Sequence, residues 1–201
     1  MKIKLFYYAL AAFLIFALSG CSVQSGPQVR LAATRAQEDL CKLAVLPFLN
    51  ETGRDTAAMQ AYRIFSSELI GSGNYHVEPE GEVFFFLNRN RLKLGDTLNS
   101  QLYATLAQQI EVDAVIRGRV LELDYVKGAG GRTPRCALQV EIVSAEDGEL
   151  LASTYHRRSG SDYQKVLHFG VIRTTSGLLA QVSREIIEAW EKKGLNHCPE
   201  K

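Results

Sequence analysis

Residues Leu43-Ala44-Val45-Leu46-Pro47-Phe48 are apolar without a break. A strand with one wet face alternates apolar and polar residues, so this run predicts a strand buried on both faces. Pro47 sets its end, because proline cannot donate to a central ladder. A turn-rich loop, Asn50-Glu51-Thr52-Gly53-Arg54-Asp55, follows. Helical spacing of Ala58, Tyr62, Phe65 and Leu69 predicts a helix over 56–70, stopped by Gly71 and Gly73. A short strand is expected at 75–78, then helices at 80–92 and 98–110, the second striped by Leu98, Leu102, Leu106 and Ile110. Three strands follow, at 113–127, 136–143 and 150–158. A hairpin loop over 128–134 joins the first two, and an Asp147-Gly148 turn lies before the third. A helix over 174–192 ends the domain. The order β-α-β-α-α-β-β-β-α gives crossovers first and an antiparallel meander second. That is an α/β (α+β) fold, with helices packed on a mixed sheet of about five strands.

The N-terminus reads as an export signal. Lys2 and Lys4 form a positive n-region, and the fourteen residues 5–18 are apolar. That is short of the roughly 20 residues a spanning helix needs and fits the roughly 7–15 of a signal-peptide core. Leu18-Ser19-Gly20-Cys21 resembles the lipobox of bacterial lipoproteins, which implies cleavage after residue 20 and a lipid on Cys21. The expected division is a signal peptide over 1–20, lipidated Cys21 and a flexible tether over 21–40, and one periplasmic domain over 41–198. Lipoproteins of this class carry several acyl chains, and two or more anchor stably where one is marginal. Ser22 stands where aspartate favours inner-membrane retention in enterobacterial lipoproteins, which points to the outer membrane, with the domain facing the periplasm.

Loss of residues 1–20 removes two lysines and leaves 21 basic residues against 22 acidic ones. Such a balance speaks against a nucleic-acid-binding surface, which carries a basic excess. A hydrophobic fraction of 46% suits a globular core.

Residues 42–48 with Asn50-Glu51-Thr52, and the segment Val112-Asp113-Ala114-Val115-Ile116-Arg117-Gly118-Arg119-Val120, carry a family resemblance. They resemble the α/β lipoprotein domain shared by the curli secretion lipoprotein CsgG, the penicillin-binding-protein activator LpoB, the amino-terminal domain of TolB and the Pel polysaccharide export lipoprotein PelC. The resemblance covers roughly residues 42–192, and in size and layout it is nearest to the Pel export lipoproteins. It implies a non-enzymatic outer-membrane protein, a homo-oligomeric ring that assists polysaccharide export beside an outer-membrane porin. The alternative is a monomer that docks on and regulates a periplasmic envelope or peptidoglycan-synthesis complex. A self-made membrane barrel is not expected, because the long hairpin strands are needed in the core sheet.

Catalytic patterns are missing: neither a Gly-x-Ser-x-Gly elbow nor a His-Glu-x-x-His site occurs. No cofactor and no metal are expected, since His197-Cys198 offers two ligands where a structural zinc takes four. Gly128-Ala129-Gly130-Gly131 joins two strands and reads as a hairpin loop. Lys127, Arg132 and Arg135 flank it as candidates for contact with an anionic surface or polymer. Val83-Phe84-Phe85-Phe86-Leu87 is the most unusual run. Consecutive helical residues point about 100° apart, so Val83, Phe86 and Leu87 can share the core face while Phe84 and Phe85 point away. Phe84 and Phe85 are therefore candidate interface residues, as is Trp190 if exposed.

With Cys21 acylated, Cys41, Cys136 and Cys198 remain in an oxidising compartment. Cys136 alternates in phase with Leu138, Val140 and Ile142 and so should face the core. The last strand should run parallel to the first, since both pairings of the strand at 136–143 are antiparallel. The final helix then returns to the end where the first strand begins, which pairs Cys41 with Cys198. Closing so long a loop should add roughly 4–5 kcal/mol on the chain-entropy model. The bond is expected beside the membrane tether.

Overall fold

Leu43 and Val45 point to one face of the sheet, Ala44 and Leu46 to the other, and all four are buried. The unbroken apolar run thus reflects two cores, one on each side of a single sheet. The computed structural model describes residues 26–32, 40–93, 96, 98–128, 131–166, 169–195 and 198. Cys21, the tether residues 33–39, Ala129, Gly130, His168 and His197 lie outside the described residues.

The strands are β1 (Gln28–Leu31), β2 (Lys42–Val45), β3 (Leu49–Asn50), β4 (His76–Val77), β5 (Ala114–Gly128), β6 (Gly131–Ser144) and β7 (Leu150–Ser159). The helices are α1 (Ala57–Ser72), α2 (Glu80–Arg89), α3 (Ser100–Ile110) and α4 (Thr175–Glu191), with a 3-10 turn at Gly160–Tyr163. The sheet order is β1-β7-β6-β5-β2-β4, and β3 pairs with β5 beyond the end of β2. β2 runs parallel to β4 and β5, while β5-β6-β7-β1 is antiparallel throughout. The fold is therefore the mixed α/β class expected, with seven strands instead of about five.

The two extra strands have local causes. β3 resumes pairing with β5 after Pro47 ends β2. β1 comes from the segment expected to be a tether. Val29 pairs with Thr154 and packs against the buried cluster, so one apolar residue docks an otherwise exposed edge strand. The hairpin also pairs further than expected, to Gly128↔Gly131. Pro134 does not stop it, because β6 there has run past its last β7 partner, Arg135↔Ser159, and has a neighbour on one side only.

Helices α1 and α4 cover one face. Ala61, Tyr62, Phe65 and Leu69 of α1 and Leu178, Val182, Ile186 and Trp190 of α4 meet Ile116, Val120, Leu138, Val140 and Ile142. Gly118 lets Phe48 lie flat in this core, because a Cβ there would sit 2.6 Å from the ring. Helices α2 and α3 cover the other face through Val83, Phe86, Leu87, Tyr103 and Leu106. They reach Ala44, Leu46, Val115 and Val143, leaving a polar sheet face with Glu122, Asp124 and Arg157 outside their cover.

The loop signals have structural counterparts. Asn50 Oδ1 accepts from the Thr52 backbone N–H at 3.0 Å and from its hydroxyl at 2.8 Å, fixing the turn after β3. Asp113 Oδ2 accepts from the backbone N–H groups of Cys41 at 3.1 Å and Lys42 at 2.7 Å. This acidic residue between α3 and β5 therefore pins the start of β2.

Candidate functional site

Three regions carry chemistry. The first is the end where β2 starts. A disulfide joins Cys41 to Cys198 with their Cα atoms 4.6 Å apart. Cys136 is buried as a free thiol, and burial, with the Glu122 charge adding, pushes it up to about 12. His76 stands beside the disulfide.

Cys41 directly follows the segment expected to be a tether, so the bond stands at that segment's domain end, where β2 starts. β1 enters level with Tyr155 and leaves level with Ala152, so it runs from the β5-β6 hairpin end toward the start of β2. Gln28 is level with Gln139 through Tyr155. From Gln139 to Gly131 is eight residues, about 27 Å of strand. The seven residues from Cys21 to Gln28 span up to about 25 Å.

The second region is that hairpin end. Lys127 and Arg132 are exposed and face each other across the ladder, with the Arg132 guanidinium 5.4 Å from the Tyr125 ring centroid. Arg173 approaches Gly131. The neighbouring loop is tied to the same end, since Ile172 N–H donates to the Gly160 carbonyl and the Ser159 hydroxyl to that of Pro134. It presents Val166, 69% exposed, and Phe169, 74% exposed. Arg135 does not join this basic group. It is held on the open sheet face by Glu122 at 3.0 Å and Asp124 at 2.9 Å, which explains why a flanking position in sequence misleads.

The third region is a half-buried polar cluster between α4 and β7, in which His156 and Arg158 are buried. Glu185 Oε2 lies 2.5 Å from His156 Nε2 and accepts from Arg158 Nε at 3.1 Å, while Oε1 accepts from Tyr163 at 2.9 Å and Gln181 at 3.0 Å. Burial alone would raise the Glu185 carboxyl, but hydrogen bonds from His156, Gln181, Tyr163 and Arg158 overcome it and hold it at about 2. Burial pushes the Tyr163 phenol up, with its bond to Glu185 adding. The cluster has the connectivity of a structural clamp, with every member already bonded to another. Sequence reading did not find it.

The aromatic candidates separate. Phe85 is 62% exposed on α2. Phe84 is half-buried, its ring 6.2 Å from that of Tyr62. The edge strand β4 has two residues, so α1 and α2 meet past its end, where Arg63 also pairs with Glu80 at 3.4 Å. Trp190 is fully buried, its indole 5.7 Å from Phe65, and is a core residue, not an interface anchor.

A cleft of about 230 Å³ lies between the sheet and the α2–α3 connection, lined by Leu46, Leu98, Tyr103, Arg117, Gln139 and Glu141 among others. Arg117 closes on Glu141 at 2.6 Å. Among the described residues, no helix is long and apolar enough to cross a membrane.

One mixed sheet with two helices on each face defines the class: an α/β domain with a core on either side of its sheet. Among solved structures, the PelC dodecamer from Paraburkholderia phytofirmans aligns at a TM-score of 0.54 and 18% identity, covering 86% of this chain and 99% of that one. Lipoprotein GNA1162 from Neisseria meningitidis aligns at 0.53 and 17%, covering 76% and 99%. The chain thus has the PelC-like lipoprotein-domain fold. Neither a family model nor a curated protein matches the sequence.

Proposed function

We propose that this protein is a non-enzymatic lipoprotein of the outer membrane, anchored through Cys21 after loss of residues 1–20, that works as a ring of copies assisting polysaccharide export. The observation that carries the reading is the polarity of β1. β1 enters from the hairpin end, where Lys127, Arg132, Val166 and Phe169 are exposed, and the seven residues from Cys21 to Gln28 are long enough for a lipid anchor, these cations and these apolar side chains to meet one surface. Such a face suits an anionic lipid surface. Assembly and export are supported by the likeness to a polysaccharide-export chain whose solved form is a dodecamer. Exposed Phe85 is a candidate contact between copies.

Deleting the gene in its host and measuring extracellular polysaccharide tests the reading. Export should fall, wild type should restore it, and Cys21→Ala should not. Unchanged export in the deletion strain would contradict the proposal and leave docking on an envelope complex as the better account.

A further inference from the structure

The Cys41–Cys198 disulfide has a third metal-ligating neighbour. Cys41, Cys198 and His76 bring two sulfurs and an imidazole nitrogen within 4.8 Å of one another. Two of these residues are fixed to each other. The His76 backbone N–H donates to the Cys41 carbonyl at 2.8 Å, where β2 meets β4, and Asp113 holds Cys41 from the other side. The third, Cys198, stands beyond the end of α4 at Glu191, outside any helix or strand, with its sulfur 3.4 Å from the Asn74 carbonyl oxygen. His76 is exposed, so a cation can reach the group from solvent.

We propose that reduction of the disulfide creates a Cys2His site for a zinc-type divalent cation, and that the S–S bond is a redox gate on it. Tetrahedral zinc takes sulfur at about 2.3 Å and imidazole nitrogen at about 2.0 Å, which sets ligand atoms roughly 3.5–3.8 Å apart. The present triangle is already of that scale, except that the S–S bond holds its two sulfurs too close. Breaking that bond frees the two sulfurs to separate, while Cys41 and His76 stay held to each other where β2 pairs with β4.

The chemistry balances with a dithiol as reductant. One of its thiolates attacks a sulfur of the disulfide, giving a mixed disulfide and releasing the other cysteine as thiolate. Its second thiol then closes the reductant into its own disulfide, so two electrons and two protons end on Cys41 and Cys198. Metal binding releases both thiol protons to solvent and forms two S–metal bonds and one N–metal bond, with water in the fourth position. Disulfide and metal exclude each other, because both use the same sulfurs. This site is independent of the export reading.

The test uses the full-length chain in detergent, reduced with a phosphine and titrated with Co2+ and then Zn2+. The reduced protein should bind one Co2+ with a thiolate-to-metal charge-transfer absorption that Zn2+ removes, and the oxidised protein should show neither. Losing an outer-shell partner of a ligand already weakens metal binding about 10–100-fold, so His76→Ala should weaken Zn2+ binding by at least ~100-fold. The oxidised form of that variant, compared by circular dichroism, controls for folding. If reduction unfolds the chain, Zn2+ should restore the wild-type spectrum and not that of His76→Ala. Absence of the cobalt band with no such restoration, equal binding by the oxidised protein, or unchanged affinity in His76→Ala would each overturn the proposal.

Discussion

The indole N–H of Trp190 donates to the Thr154 hydroxyl at 2.7 Å, joining α4 to β7 in the interior. Trp190→Phe removes the donor and leaves the buried Thr154 hydroxyl without it. Denaturant melts should show a loss of about 1–3 kcal/mol, the range for stranding a buried polar group. An unchanged midpoint would mean the tryptophan is not in the core.

Glu185 is the centre of the other α4–β7 link, and its carboxyl is held at about 2 against an ordinary 4.5. A depressed carboxylate contributes stability that is full above its unfolded value and is lost as pH falls through the folded one. Wild type should therefore lose this contribution between about pH 4.5 and pH 2. Glu185→Gln should lose roughly 1.5–3 kcal/mol at neutral pH, as for hydrogen bonds to a charged group. It should also show a flatter stability profile across that acid window. Thermal melts at several pH values read both, and parallel profiles would refute the assignment.

Phe84 and Phe85 are neighbours with different fates. Phe85→Ser should stay within about 0.5 kcal/mol of wild type, as for an exposed site. Phe84→Ser should lose more than 1 kcal/mol, since a pair such as Phe84–Tyr62 alone contributes about 0.5–1.5 beyond its buried area. Equal effects would place both rings in one environment.

The Cys41–Cys198 bond closes a separation of 157 residues. Cys41→Ser with Cys198→Ser should lower stability by about 5 kcal/mol on the chain-entropy model, less any strain relieved. Cys136→Ser should act differently, putting a hydroxyl in an apolar core. Non-reducing peptide maps of wild type should show Cys136 unpaired.

Sequence patterning made the central elements legible because they are strongly periodic. Val83, Phe86 and Leu87 fall on one helical face, and Leu138, Val140 and Ile142 on one strand face. Strand directions, and with them the place of the cysteine pair, followed from element order. β1 was hidden, since Gln28–Leu31 has one inward side chain and polar neighbours. The role of Phe84 depended on the shortness of β4, a tertiary fact. The Glu185 cluster escaped because β7 carries polar residues on both faces. Thr154, His156 and Arg158 face the core, while Ser153, Tyr155 and Arg157 face out, so alternation there names no inside.

The proposed ring is the central claim, and the mass of the purified full-length protein in detergent tests it most directly. Light scattering or native mass spectrometry should give a closed oligomer of one defined size, which Phe85→Ser reduces toward the single chain without unfolding it. A monomer at every concentration up to the highest attainable would contradict the account.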